Sequence, residues 1–179
     1  MGFTVYSLFK NQIVALYFTT NVGFHFIQPN LQKFNLSYLI PKTTLIKVPK
    51  SESAYSPNIL LLNPANLPNE SLWKKESTIT QAASVPLVIE IVISNWQTDY
   101  THKANDYESM GIPEYWIVDY GAFGGKRFIG NPKQPTISIY SLVDDEYIVN
   151  QFRGDDLIIS PLFPELKLTL LQILQNIIN

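Results

Sequence analysis

Leu87-Val88-Ile89-Glu90-Ile91-Val92-Ile93 sets a single carboxylate inside an otherwise unbroken apolar, mostly β-branched run. Such a run reads as a central strand buried on both faces. An isolated carboxylate there is heavily penalised or takes up a proton. Glu90 therefore calls for a partner. A metal ion is one candidate. A position in a cleft or a pairing with a buried lysine is the plainer alternative.

Outward from this run the pattern is regular. Thr98 is placed to cap a helix near residues 99–110, Asp99 suits its positive first turn, and Gly111 with Pro113 beyond it marks the stop. Residues 114–120, centred on Tyr115-Trp116-Ile117-Val118, read as the next strand. Strand, helix, strand predicts a parallel pair. On the helix Asp99, Lys103 and Tyr107 recur at i, i+4 and i+8 and share one face. Two readings stay open here. Asp99 and Lys103 form an exposed ion pair, or Lys103 reaches over the carboxyl end of the sheet toward Glu90. In the second case it would orient or deprotonate a water, or stabilise a phosphorane-like transition state.

The remaining elements are read more coarsely. Residues 3–20 predict a helix, and 22–48 predict strands broken by Pro29 and Pro41. A polar loop over 50–57 leads to a short strand at 58–62, which ends at Asn63-Pro64. Residues 63–84 form a long polar connection whose structure the pattern leaves undecided. The Gly121–Gly125 segment lacks the Gly-Lys-Ser/Thr ending of a phosphate loop and reads as a plain turn. A short strand is expected near 127–129. A hairpin follows, with arms at 136–143 and 147–152 around Asp144-Asp145-Glu146. Asp144-Asp145 and Asp155-Asp156 read as solvated turns, too short in oxygen ligands for a calcium loop. Thr169 and Gln172 fit a capping box for a C-terminal helix with Leu170, Leu171, Ile173, Leu174, Ile177 and Ile178 on one face. No repeat or linker interrupts the chain, so residues 1–179 are expected to form a single domain.

Composition narrows the chemistry. With 46% hydrophobic and 16% charged residues the chain is globular in type. There are no cysteines, which excludes disulfides and Cys-based zinc sites. His25 and His102 are the only histidines, too few for a His-rich metal centre. Lys10, Lys33, Lys42, Lys47 and Lys50 precede the first acid, Glu52, but they form no dense cluster and read as scattered solvated lysines. Arg127 and Arg153 are the only arginines, so DNA binding would engage the backbone with little reading of bases. No export signal is visible, and the apolar runs at 13–18 and 87–93 are too short to span a bilayer. A soluble cytoplasmic protein is the expectation.

An ordered series carries a more specific signal. It runs Val85-Pro86-Leu87-Val88-Ile89-Glu90-Ile91-Val92, Asn95-Trp96, Asp99-Tyr100-x-x-Lys103, Tyr107-Glu108 and Gly111-Ile112-Pro113-Glu114-Tyr115-Trp116-Ile117-Val118-Asp119. Residues 130–136 and 160–169 extend it. The series resembles the bacterial family named putative restriction endonucleases, within the PD-(D/E)XK nuclease superfamily. The resemblance is strongest from about residue 55 onward. It implies an α/β (α+β) fold, a restriction-endonuclease-like mixed β-sheet flanked by helices. It also implies a metal-dependent DNA endonuclease with Mg²⁺ or Mn²⁺ held by acids at the sheet. By this resemblance Glu90 is a metal ligand and catalytic residue, and Lys103 stands in for the signature lysine, since Val92 occupies its usual place. Superfamily members often pair, so a homodimer on DNA, away from any membrane, is expected.

The chain departs from the family pattern. The position of the family's first metal-binding Asp reads Pro57-Asn58, and a neutral Asn binds a divalent ion less well than a carboxylate. Ile93 stands where Ser is common, and no acidic first helix is visible. These changes predict weakened or lost catalysis. The rival is a non-catalytic module on the same fold that binds nucleic acid or protein. Glu114 and Asp119, which bound their strand, are expected to be structural, and Trp116 to need a partner for its N–H.

Overall fold

The computed structural model describes residues 26–49 and 54–178. The helix expected over 3–20 lies outside the described residues. Eight strands are described: β1 Leu45–Lys47, β2 Ala54–Tyr55, β3 Ile59–Leu61, β4 Thr78–Ile79, β5 Leu87–Ile91, β6 Glu114–Asp119, β7 Thr136–Val143 and β8 Glu146–Phe152. They form a five-stranded sheet in the order β3-β5-β6-β7-β8 and a small sheet in the order β2-β1-β4.

The Glu90 run is β5, central and buried along its whole length. It pairs antiparallel with β3 and parallel with β6. Because side chains alternate across a strand, β5 feeds two separate layers. Leu87, Ile89 and Ile91 join Trp116, Val118, Leu31, Phe163, Leu170 and Ile173 on one face. Val88 and Val92 join Tyr100, Ala104, Tyr107, Tyr115 and Ile117 on the other. Glu90 shares the parity of Val88 and Val92 and so points into the second layer. That layer is roofed by the crossover helix between β5 and β6. This mixed sheet with helices on its faces is a restriction-endonuclease-like α+β fold.

The crossover helix opens as a π-helical turn, Thr98–Lys103, and continues as the α-helix Ala104–Met110. Thr98 lies within the π turn and makes no capping bond, which corrects its expected role. Gly111 ends the helix at φ +86° in the left-handed region, where glycine is unstrained. The hairpin forms over β7 and β8, and Asp144 and Asp145 adopt φ of 51° and 66°, as a two-residue turn requires. At the C-terminal helix, Leu170–Ile178, the Thr169 N–H donates to Gln172 Oε1 at 2.9 Å and the Gln172 N–H donates to Thr169 Oγ1 at 3.2 Å. Leu170 and Ile173 are buried, but Leu171 is exposed and leaves the predicted apolar face.

Other expectations are corrected. Residues 28–33 form a helix, Gln28–Lys33, where strands were expected. Pro29 sits in its first turn, the one helical position that loses nothing from a missing N–H. Residues 126–129 form a helical turn, Lys126–Ile129, and not a strand. Phe128 stacks on Tyr100 at 4.6 Å between ring centroids, which draws this turn onto the crossover helix. The polar loop over 50–57 contains β2. The connection over 63–84 folds around buried Glu70, whose carboxylate accepts bonds from the Thr80 and Gln81 N–H groups and the Thr80 and Ser84 hydroxyls.

Candidate functional site

Glu90 projects from the middle of β5 and is 3% exposed. Above it, Asp99, Lys103 and Tyr107 descend one face of the crossover helix, as their spacing predicted. Lys103 Nζ lies 2.9 Å from Glu90 Oε1 and 2.8 Å from Asp99 Oδ1. Lys103 reaches Glu90, as the second reading expected, and it also pairs with Asp99, but that pair is buried and not the exposed one of the first reading. Tyr107 donates a longer bond, 3.4 Å, to the same Glu90 oxygen. Tyr115 from β6 donates to the backbone carbonyl of Asp99 at 3.0 Å and fixes the start of the helix over the sheet.

Asn58 is at the site. Continuing the β3–β5 register by one residue sets it across from Glu90. Its backbone N–H favours the charged form of the Glu90 carboxyl. Its side-chain Oδ1 accepts the Ile91 N–H at 2.9 Å, which extends the ladder beyond the end of β3 and satisfies a backbone donor. Ile93 packs with the opposite layer and takes no part. His102 is exposed.

Burial is the largest influence on the Glu90 carboxyl. It lifts the pKa from 4.5 to about 7, aided by the nearby charge of Asp99 and opposed by Lys103 and the Asn58 N–H. Burial likewise raises Asp99, against the pull of Lys103. For Lys103 burial works against the ammonium, but attraction to Glu90 and Asp99 and their hydrogen bonds prevail, and its pKa rises. Burial also holds the Tyr107 hydroxyl firmly protonated. The cluster is two acids around one ammonium, with Glu90 able to exchange a proton near neutrality.

Tyr55 was not singled out by the sequence. β2 carries its ring to 5.9 Å from Lys103 Nζ and edge-on to Tyr107, and its hydroxyl donates to Asp106 Oδ2 at 2.5 Å. Nothing in its local sequence marks it, because the contact depends on how the small sheet packs. Glu114 and Asp119 are structural, as expected. Glu114 accepts from Trp116 Nε1 at 2.5 Å, Ser160 Oγ at 2.6 Å and the Leu162 N–H at 2.9 Å. Asp119 accepts from the N–H groups of Phe123 and Gly124 and shapes the glycine-rich turn.

Asn58, Glu90 and Lys103 are thus gathered at one point of the mixed sheet by β3, β5 and the crossover helix. The chain belongs to the Uma2 family, described as putative restriction endonucleases, whose model matches residues 16–171. No curated protein matches the chain. Among the described residues no helix is long and apolar enough to cross a membrane.

The donor set tests the divalent ion that the family implies. Among the described residues no group of three or more His, Asp or Glu side chains converges to hold a metal. Asn58 is neutral and its Oδ1 already accepts a backbone bond. Glu90 and Asp99 are both engaged by Lys103. In this arrangement the residues do not fit a resident divalent ion.

Proposed function

We propose that this chain is a DNA endonuclease of its family whose metal-dependent hydrolysis is weakened at Asn58. Glu90 is the carboxylate that would hold a metal once an acid is restored at position 58. Lys103 is the group that faces the substrate phosphate, where its ammonium would stabilise charge gathering on the phosphoryl oxygens. The observation that carries this reading is the convergence of Asn58, Glu90 and Lys103 at one point of the sheet. Retention of the glutamate–lysine pair beside the altered strand start favours a disabled nuclease over an unrelated use of the fold.

Plasmid cleavage in Mn²⁺ and in Mg²⁺ tests it. The native chain is expected to nick slowly or not at all. Asn58→Asp is expected to gain metal-dependent nicking, and Glu90→Ala added to that variant to abolish it. An Asn58→Asp protein as silent as the native one would overturn the reading. The second reading, a non-catalytic binding module, draws on the commitment of Lys103 to the two acids. Salt-dependent DNA retardation without cleavage, in both native and Asn58→Asp proteins, would favour it.

A further inference from the structure

We propose that the groove between the crossover helix, the helical turn Lys126–Ile129 and β8 holds one unpaired base of a DNA strand. The base is of the kind that carries an amino group next to a ring nitrogen, cytosine or adenine. This deepens the nuclease reading by naming its substrate as DNA with unpaired bases, and it rests on that reading for the choice of DNA. It uses neither a metal nor Glu90.

The groove encloses about 620 Å³, the size of a small-molecule site. The buried rings of Tyr100 and Tyr140 lie at its base. Tyr100 and Ala104 follow Asp99 and Lys103 by one residue, so the groove runs along the next face of the helix that carries the Glu90 cluster. Phe128 stacks on Tyr100 at 4.6 Å between centroids, and the Arg127 guanidinium lies 4.4 Å from the centre of the Phe128 ring. Three flat groups are thus layered, and the last is an exposed guanidinium that makes no salt bridge among the described residues. A guanidinium held in this way is a platform on which a base stacks. Gln151 Nε2 donates to the Phe128 carbonyl and ties this wall to β8.

The helix wall carries a donor and an acceptor side by side. Asn105 and Glu108 are three residues apart and share a face. The Tyr147 N–H donates to Glu108 Oε1 at 2.5 Å, which orients the carboxylate and leaves its other oxygen to the groove. Cytosine and adenine present an amino donor beside a ring-nitrogen acceptor. Glu108 accepts from the first, and the Asn105 amide donates to the second. Thymine presents a carbonyl beside a ring N–H, the reverse order, and its carbonyl would meet the carboxylate. In a duplex these edges are already paired and the base is stacked, so only an unpaired base fits.

The experiment measures binding of labelled oligo-dC and oligo-dT by fluorescence anisotropy, without divalent ion. It compares the native chain with Glu108→Gln, Arg127→Ala and Arg127→Lys. The native chain is expected to bind oligo-dC about tenfold more tightly than oligo-dT. Glutamine keeps an oxygen for the Tyr147 N–H and turns an amide N–H to the groove, so Glu108→Gln is expected to cut that preference to about twofold or reverse it. Loss of the negative charge alone would raise both affinities together and leave the ratio unchanged. Arg127→Ala and Arg127→Lys are both expected to lose about tenfold on oligo-dC, because lysine keeps the charge but not the plane.

Four results would each overturn the proposal: no binding to either strand, no preference in the native chain, an unchanged ratio in Glu108→Gln, or full binding by Arg127→Lys. Plasmid nicking gained by Asn58→Asp without a preference for oligo-dC would leave the nuclease reading standing and refute the base site. A clear preference beside a silent Asn58→Asp would do the reverse.

Discussion

Glu90→Gln should change how stability depends on pH. In the unfolded chain the Glu90 carboxyl titrates near 4.5, and in the folded protein near 7 because burial disfavours the charge. Between these values the folded state keeps a proton that the unfolded state has lost. Folding therefore binds a proton in this window, and stability falls as pH rises through it, levelling off above about 7. Each pH unit of the gap is worth about 1.4 kcal/mol, so Glu90 removes roughly 3 kcal/mol between pH 4.5 and pH 7. Glutamine does not titrate. The Asp99 shift comes from its own burial and from Lys103, both retained in the variant, so it largely cancels in the comparison. Urea unfolding of the native and Glu90→Gln proteins at intervals across this range supplies the measurement. The variant should gain on the native protein by about 3 kcal/mol as pH rises. A difference that stays constant, or that moves the other way, would refute the assignment of a raised carboxyl at this position.

Two further outcomes rest on hydrogen bonds remote from the site. Glu114→Ala should remove about 3 kcal/mol or more, because it strands the Trp116 indole N–H, the Ser160 hydroxyl and the Leu162 N–H in a buried place. A loss under about 1 kcal/mol in urea unfolding would contradict this. Thr169→Ala should lower stability by about 1 kcal/mol through loss of the reciprocal bond with Gln172, and an unchanged thermal midpoint would count against the cap.

The parts of the fold visible in the sequence are those where one local pattern dominates. β5, β6 and the crossover helix follow from apolar runs and helical spacing, and the hairpin from two flanking runs around paired aspartates. The same spacing put Asp99, Lys103 and Tyr107 on one face, which is the half of the site carried by a single helix. The other half depends on pairing. Whether Lys103 reached Glu90, and whether Asn58 stood beside it, was decided by the antiparallel register of β3 against β5 and by the height of the helix above the sheet. Tyr55 arrives from a separate small sheet and has no local signature. The misread segments share a cause. Pro29 and the glycines around residues 126–129 look like breakers, yet they sit where a short helix tolerates or begins from them. In the connection over 63–84 a buried glutamate, not an apolar pattern, organises the chain.

The Asn58 side chain does one piece of work for the fold, accepting the Ile91 N–H, and an aspartate oxygen does the same work equally well. A single base change turns either asparagine codon into an aspartate codon. An aspartate here keeps an acceptor for the Ile91 N–H and adds a negative charge beside buried Glu90, which disfavours the charged form of both acids. The hydrogen-bond pattern of the β3–β5 pair is compatible with either residue. One mutational step therefore separates a neutral from a charged residue beside Glu90, with an acceptor for the Ile91 N–H in both.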